Sequence, residues 1–418
     1  MTRSLDEWLQ WQERLHPQAI DLGLDRVRAV AARLGLPDAQ PVTLTIAGTN
    51  GKGSSAHLAA LIYREAGYRV GLYTSPHLLR YNERVRIDGQ VADDAALCRA
   101  FEAIEAQRGD IRLTYFEFGT LAALWLFREA AVDVQVLEVG LGGRLDAVNL
   151  VNADAALITS IGIDHTDWLG PNRDSIAREK AGIFRPERPA IVAEPEPPPA
   201  LTEVASACGA RLQRLGVDFG FEPRPAGFDW WSAQGRLSEL PSPGLSGLAQ
   251  LRNAAGVLAA VEALQRRCAV PEDRLRRALP QLRLPGRCER RGRFLLDVAH
   301  NEQAAQVLAE ALRQPGLPGP RVLVLGMLAD KPHAAFLAAL AGGFDSLVLV
   351  GLPRPRGLDA ATLAERIGRQ DGVRCCDNMP AALTAARELA GDDGSIIVSG
   401  SFLTVAAAAP LIHDAGSC

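Results

Sequence analysis

The sequence has no apolar run long enough to cross a bilayer. Its longest, over residues 402–412, is interrupted by Thr404 and Pro410 and falls well short of the ~20 residues a membrane helix needs. An excess of either charge is also missing: 45 Lys and Arg stand against 49 Asp and Glu, a formal net charge of -4. That balance leaves no electrostatic footprint for nucleic acid or an anionic membrane surface. The seven cysteines (98, 208, 268, 288, 375, 376 and 418) have no CxxC spacing and are odd in number, so reduced thiols in the cytoplasm are expected. The first 18 residues carry acids and two tryptophans in an amphipathic helical pattern, with no apolar signal region. There is no internal repeat. What is present is a chain of 418 residues, 48% hydrophobic and 22% charged, long enough for two or three domains that each bury a core.

One stretch organises the rest. Val42-Thr43-Leu44-Thr45-Ile46 is a β-branched run of strand length, and it meets Ala47-Gly48-Thr49-Asn50-Gly51-Lys52-Gly53-Ser54, which opens a helical pattern ending at Glu65. Glycines let backbone N–H groups converge on a phosphate chain, the helix N-terminus adds partial positive charge, and Lys52 supplies a mobile cation. The strict phosphate-loop pattern is not met, since Ile46 occupies its first glycine position and Gly53 follows the lysine. Most glycine-rich turns between strand and helix serve structure alone. Here the whole context of strand, turn, lysine, serine and helix is in place, and phosphate binding is the expectation.

Along the chain, strands are predicted at 69–74, 133–139 and 155–161 and helices at 93–108, 116–131 and 173–184. Residues 78–89, with Arg80, Arg84 and Arg86, read as a surface loop running into a short strand; 194–199, rich in proline, reads as a surface connection. Short strands and turns at 217–240 and two helices within 247–279 follow. A second series, strand 293–298, helix 302–313, strand 321–326, helix 333–341, strand 345–350, helix 359–368 and strand 395–399, begins after Leu284-Pro285-Gly286-Arg287. Alternation of this kind predicts an α/β protein with a mostly parallel sheet covered by helices on both faces. The expected division is a P-loop-type domain over 1–283 and a smaller Rossmann-like α/β domain over 284–418. Ligands of such sheets gather at the carboxyl ends of strands, where Gly48–Ser54, Ser75, Glu138 and Asp164-His165 all fall.

Glu138 ends an apolar strand, where an ionised carboxylate is costly without a partner or a metal. A glutamate or histidine by itself is most often a salt-bridged or core group. Ser75, Glu138 and His165 together offer two oxygens and an imidazole near a triphosphate, and Mg²⁺ takes few protein oxygens beside phosphate oxygens and waters. Lys180 sits in ordinary helix, so solvent is its default. Nothing in residue chemistry prefers it to Lys331.

Several motifs resemble the folylpolyglutamate synthase/dihydrofolate synthase family of the Mur-ligase superfamily. The phosphate loop Gly48-Thr49-Asn50-Gly51-Lys52-Gly53-Ser54 is one. Leu137-Glu138-Val139-Gly140-Leu141-Gly142-Gly143-Arg144-Leu145-Asp146-Ala147, Ile158-Thr159-Ser160-Ile161-Gly162-Ile163-Asp164-His165-Thr166 and Glu179-Lys180-Ala181-Gly182-Ile183 are others. In the second domain Asp297-Val298-Ala299-His300-Asn301 and Leu325-Gly326-Met327-Leu328-Ala329-Asp330-Lys331 are similar to further family motifs. The similarity runs over essentially the whole chain in the family's order.

The resemblance implies that Thr49, Asn50, Gly51, Lys52, Gly53 and Ser54 hold ATP phosphates, with Asn253, Arg287 and Asp297 as further ATP contacts and His300 beside that site. It implies Mg²⁺ at Ser75, Glu138 and His165, and a second Mg²⁺ through a carbamylated Lys180. The pterin site of the bifunctional bacterial branch corresponds to Ala19, Ile20, Asp21 and Leu22, to Thr114, Tyr115 and Phe116, and to Asp146. The implied reaction joins L-glutamate to dihydropteroate and to tetrahydrofolates through an acyl phosphate, with Lys52, His165, Lys180, Arg287 and His300 as the catalytic group. The second domain would close over the ATP and glutamate cleft. A cytoplasmic monomer without nucleic-acid or membrane partners is expected.

Three departures stand out: Ala249-Gln250 where the family has His-Gln, a short segment between Arg287 and Asp297, and Glu302 where proline is common. Other readings are weaker. A different Mur-type ligase needs a UDP-binding N-terminal domain, and only about 40 residues precede the loop. A dinucleotide oxidoreductase using Gly140-x-Gly142-Gly143 lacks the third glycine and the helix start. A non-enzymatic nucleotide switch would lack ligation activity.

Overall fold

The computed structural model describes residues 3–18, 20–36, 41–314, 316–368 and 372–412; Ala19 and Cys418 lie outside the described residues. The chain divides into two compact units, one of Met1–Gly244 with Leu248–Leu282 and one of Leu245–Gly247 with Arg283–Cys418.

In the first unit eight strands form one sheet: β1 (Val42–Ala47), β2 (Val70–Tyr73), β3 (Val85–Ile87), β4 (Gln90–Val91), β5 (Val134–Glu138), β6 (Ala155–Ile158), β7 (Pro189–Val192) and β8 (Arg211–Arg214). Their spatial order is β4-β3-β2-β5-β1-β6-β7-β8. The pairs from β2 through β8 are parallel, while β3 and β4 add an antiparallel edge. Central strands read as continuous apolar runs because both faces are covered. On one face the helices Lys52–Glu65 and Leu248–Leu264 pack against the sheet. They approach closely: a Cβ on Gly256 would come within 3.1 Å of Leu157 Cδ1. On the other face Phe101, Phe118, Tyr73 and Leu137 join one buried cluster with the helices Leu5–Leu15, Asp25–Arg33, Asp94–Arg108 and Tyr115–Glu129. A second cluster packs Ala156 and Ile158 under the helices Arg173–Ala181 and Pro199–Cys208.

Three further strands, β9 (Phe219–Arg224), β10 (Gly227–Ser232) and β11 (Gly235–Pro241), make a separate antiparallel sheet. Asp229 is buried there between Arg224 and Arg236, 2.7 and 2.8 Å away, which hold its carboxyl well below the usual range.

The second unit carries a six-stranded sheet. Its strands are β12 (Glu289–Arg291), β13 (Phe294–Leu296), β14 (Arg321–Leu325), β15 (Ser346–Val350), β16 (Val373–Cys376) and β17 (Ser395–Ser399), in the order β12-β13-β17-β14-β15-β16. Only β12 is antiparallel. Its core lies around Leu308, Leu323, Phe336, Leu349 and Ile397.

Several elements differ from the sequence reading. The strand expected over 155–161 ends at Ile158, since Ile161 and the residues around it leave the ladder for side-chain partners. β7, the helix Pro199–Cys208, β8, β16 and the helix Met379–Ala390 were not expected. They are short, or carry too little periodicity to separate from connections. The short segment between Arg287 and Asp297 is a hairpin closed by Gly292 and Arg293; Gly292 at φ 55° supplies the positive φ that so tight a turn requires.

Candidate active site

The four polar stretches expected at strand ends follow β2, β5, β1 and β6, four consecutive strands of the parallel sheet. Adjacent parallel strands bring their carboxyl ends to one edge, so Ser75, Glu138 and the glycine loop share it, while Asp164 and His165 come six and seven residues after the end of β6.

The glycine loop is pinned from the β6 side. Thr49 N donates to Ser160 O (2.8 Å) and Asn50 N to Ser160 Oγ (2.9 Å). Thr159 Oγ1 donates to Asn50 O (2.6 Å), and Gly162 N to Thr49 Oγ1 (2.9 Å). Gly51 is the left-handed cap of the helix Lys52–Glu65 (φ 85°), and a Cβ there would come 2.5 Å from Asn253 Oδ1. Asn253 therefore lies at the flank of the loop. Its Nδ2 donates to Gln250 Oε1 (3.2 Å), so Gln250 supplies a partner although residue 249 is alanine. Gly53 faces Glu138, whose Oε2 would stand 3.6 Å from an added Cβ, and Ser54 is buried in the first helical turn.

Glu138 is 4% exposed, and Ser75 N donates to its Oε2 at 3.0 Å. His165 is held at φ 52° where the short helix Thr166–Leu169 begins, its N–H donating to Asp164 Oδ1 (2.9 Å). Lys180 overturns its sequence default: it is 5% exposed, and its Nζ donates to Gly48 O at 3.0 Å. Lys52 Nζ donates to that same carbonyl at 3.0 Å and to Thr49 O at 3.2 Å. Burial, and next the neighbouring Lys52 charge, lower the Lys180 pKa to about 7, against the opposing pull of Asp164 and Asp146. The glycines of Gly140-Leu141-Gly142-Gly143 explain how Lys180 comes to be buried. A Cβ on Gly143 would meet Glu179 O and Lys180 O at 2.8 Å, so only glycine lets this loop press on the helix Arg173–Ala181.

Among the described residues expected at the pterin site, the loop of Asp21 and the start of the helix Tyr115–Glu129 are linked through Arg26. Thr114 caps the helix Tyr115–Glu129 in a capping box with Glu117. Arg26 bridges Asp21 (2.8 Å) and Glu117 (3.3 Å), which ties the loop of Ile20, Asp21 and Leu22 to that helix. Asp146 is buried, with Oδ2 accepting from Leu141 N and Oδ1 from Val148 N. Burial raises its pKa to about 6 against those hydrogen bonds. Phe116 packs beside Tyr73 (5.9 Å between centroids) and on Gly140, where a Cβ would come 2.6 Å from the ring. Missed from the sequence were Tyr81, Arg84 and His77. The Arg84 guanidinium lies over the rings of Tyr81 and Tyr115 (5.2 and 5.5 Å), and its Nε donates to His77 Nδ1 (2.9 Å). The arginine-rich composition of 78–89 was the one available signal.

In the second unit Arg287, Asp297 and His300 are neighbours. The Arg287 guanidinium lies 5.0 Å over the Phe402 ring, and the His300 ring is 6.3 Å from Phe402. Asp297 accepts from Cys288 N through Oδ2 and from Ala299 N through Oδ1, each at 2.8 Å. Burial, and then Asp297, push the Cys288 thiol up. Asn301 caps the helix Glu302–Arg313, whose first turn takes Glu302 as a favourable acid.

The donor set suits a hard divalent cation shared with phosphate. Among the described residues no three His, Cys, Asp or Glu side chains gather into a ready-made cluster. Mg²⁺ does not need one, because it keeps waters and substrate oxygens beside one or two carboxylates, and Glu138 is a buried carboxylate next to the loop. No helix among the described residues is long and apolar enough to cross a membrane.

A glycine phosphate loop on such a sheet, followed by a second α/β unit, is the layout of a Mur ligase. The Mur ligase middle domain matches residues 46–195 and the Mur ligase glutamate ligase domain residues 286–402. The chain is 47% identical to the dihydrofolate synthase/folylpolyglutamate synthase of Escherichia coli, over 96% of this chain and 94% of that one. The Escherichia coli FolC structure in complex with DHPP and ADP superposes with a TM-score of 0.93 at 46% identity, covering 98% of each chain. A bifunctional folylpolyglutamate synthase/dihydrofolate synthase with Mn, AMPPNP and L-glutamate bound gives 0.91 at 45%, again over 98% of each. The chain belongs to the dihydrofolate synthase/folylpolyglutamate synthase family, and it is an ATP-dependent ligase.

Proposed function

We propose that the chain joins the α-amine of L-glutamate to the carboxylate of dihydropteroate, giving dihydrofolate, and adds glutamate to tetrahydrofolates. The observation that carries this reading is two lysine Nζ atoms on one carbonyl of the glycine loop, beside a buried carboxylate at the ends of neighbouring parallel strands. It is supported by relatives named for both activities and by the DHPP, ADP, AMPPNP, Mn and L-glutamate in their structures.

A carboxylate resists attack by an amine until one of its oxygens can leave. Transfer of the ATP γ-phosphoryl group to the acid gives an acyl phosphate and ADP. The glutamate amine then adds to the acyl carbon, phosphate departs, and the amine gives up a proton. N–H groups from Gly51 to Ser54 cradle the phosphates on a loop whose start, Thr49 and Asn50, is pinned to Ser160, while Lys52 leaves its loop carbonyls to meet the transferring group. Ser75, Glu138 and His165 would hold Mg²⁺, and Lys180, once carbamylated, a second ion. When bound, magnesium supplies positive charge against the phosphate oxygens. Asn253 lies beside the loop; Arg287 and Asp297 are nucleotide-binding groups, with His300 their neighbour. Ile20, Asp21, Leu22, Thr114, Tyr115, Phe116 and Asp146 receive the pterin. The six described cysteines are all free thiols, which supports the cytoplasm as the working compartment, and a monomer is the proposed state.

Phosphate release from ATP, followed with dihydropteroate and L-glutamate present, tests the reading. Release that requires both, with dihydrofolate as product, is expected. Extension of tetrahydrofolate without any product from dihydropteroate would leave folylpolyglutamate synthesis as the sole activity.

A further inference from the structure

Past Thr159, whose N–H still donates to Ala47 O of β1 at 3.0 Å, the chain crosses residues 160–164 outside the named strands. One side of this crossing is already described: Thr159, Ser160 and Gly162 hold the glycine loop. The opposite side is held by a pair that no motif contains. Glu194, just past β7 and 5% exposed, accepts from Ile161 N through Oε2 at 2.7 Å. Arg173, the first residue of the helix Arg173–Ala181, donates from Nε to Ile161 O at 3.0 Å. The two side chains are themselves paired, Arg173 Nη2 to Glu194 Oε1 at 3.1 Å. Arg173 Nη2 also donates to Glu196 O (2.8 Å), and Glu196 N donates to Glu194 Oε1 (3.2 Å).

Both backbone groups of one residue are thus taken by an ion pair. A strand end gains its direction from neighbouring strands, and Ile161 lies past the last ladder bond of β6, that of Thr159 N to Ala47 O. A buried carboxylate with each oxygen engaged and a guanidinium with three engaged directions replace that constraint with charge-assisted hydrogen bonds. Ile161 lies one residue from both Ser160 and Gly162, and four residues before His165. Its orientation sets which way the carbonyls and hydroxyls at 159–162 face the glycine loop and where the loop carrying His165 departs.

We propose that Glu194 and Arg173 are positioning residues of the ligase: an ion-paired clamp on Ile161 that aligns the phosphate loop and the His165 loop together. This rests on the reading of Gly48–Ser54 as the ATP site and His165 as a metal ligand. Neither Glu194 nor Arg173 touches substrate in this role. Their effect passes through Ile161 to nucleotide and metal affinity, and leaves the pterin residues, which lie on other elements, alone.

The test measures Mn²⁺ affinity by electron paramagnetic resonance with AMPPNP present, and fluorescent-ADP affinity without metal, for Glu194→Ala, Glu194→Gln, Arg173→Met and His165→Ala. Melting temperatures are recorded for each. Groups that orient metal ligands typically change affinity by about 10–100-fold when removed. Glu194→Ala and Arg173→Met are expected to weaken both affinities about tenfold or more, while KM for dihydropteroate stays within about twofold. Glu194→Gln keeps an acceptor for the Ile161 N–H and should recover most of the loss. Wild-type affinities in Glu194→Ala with only a lowered melting temperature would overturn the clamp and leave a structural ion pair. Arg173 is 39% exposed at its side chain, so Arg173→Met carries the same test should Glu194→Ala fail to fold. Unchanged Mn²⁺ affinity in His165→Ala would instead reject the metal reading, and ADP affinity would still judge the clamp.

Discussion

At the residue scale, burial decides chemistry that composition leaves open. Lys180 is one of 45 basic residues, yet its setting brings its pKa from 10.5 to about 7. Near neutral pH a large share of the amine is uncharged, which is the form that adds CO₂, releasing one proton and leaving an anionic carbamate suited to Mg²⁺. Lys180→Arg is expected to abolish ligation, because guanidinium keeps its charge and is not carbamylated; initial rates in bicarbonate buffer check this, and full activity would end the metal-ligand role. His77 offers a pH test of a different kind. Burial, and next Arg84, bring its pKa from 6.5 to about 4, so between these values the unfolded chain holds a proton that the folded chain refuses. Stability contributed by neutral His77 is complete above pH 6.5 and drains as pH falls towards 4. In His77→Gln the urea midpoint should therefore fall less steeply across that window than in the wild type.

At the element scale, close backbone approach replaces the dinucleotide role that the Gly140–Gly143 motif could suggest. The loop is glycine-rich so that it can lie on the carbonyl ends of the helix Arg173–Ala181. Gly143→Ala would push a methyl against two backbone carbonyls that cannot turn aside. Overpacking of this kind costs about 1–3 kcal/mol, and a lower melting temperature by calorimetry is expected. The displaced helix would also carry Lys180 away from Gly48 O, so turnover should fall further than stability alone accounts for.

At the scale of the whole molecule, the two units have separate cores, and all six tryptophans (8, 11, 125, 168, 230 and 231) lie before residue 283. Tryptophan fluorescence therefore reports unfolding of the first unit, whereas far-ultraviolet circular dichroism reports both. Domains with their own cores can unfold as separate units, and the two probes are expected to give different midpoints in urea. Coincident curves would mean that the units unfold as one.

The sequence by itself determined the alternation of strands and helices, the glycine loop with Lys52, and the strand-end positions of Ser75 and Glu138, whereas His165 lies seven residues past the end of β6. These are local signals: residues close in the chain set strand length, helix start and turn geometry. The motifs also carried the family. Only the tertiary structure decided that β2, β5, β1 and β6 are neighbours, that Lys180 is buried against Gly48 rather than solvated, and that Gln250 serves Asn253. The Arg84–His77 contact and the Glu194–Arg173 hold on Ile161 belong to the same class. Partners such as Glu194 and Ile161 are 33 residues apart in the chain, and the charged side chains among them look like any surface acid or base until packing removes their water.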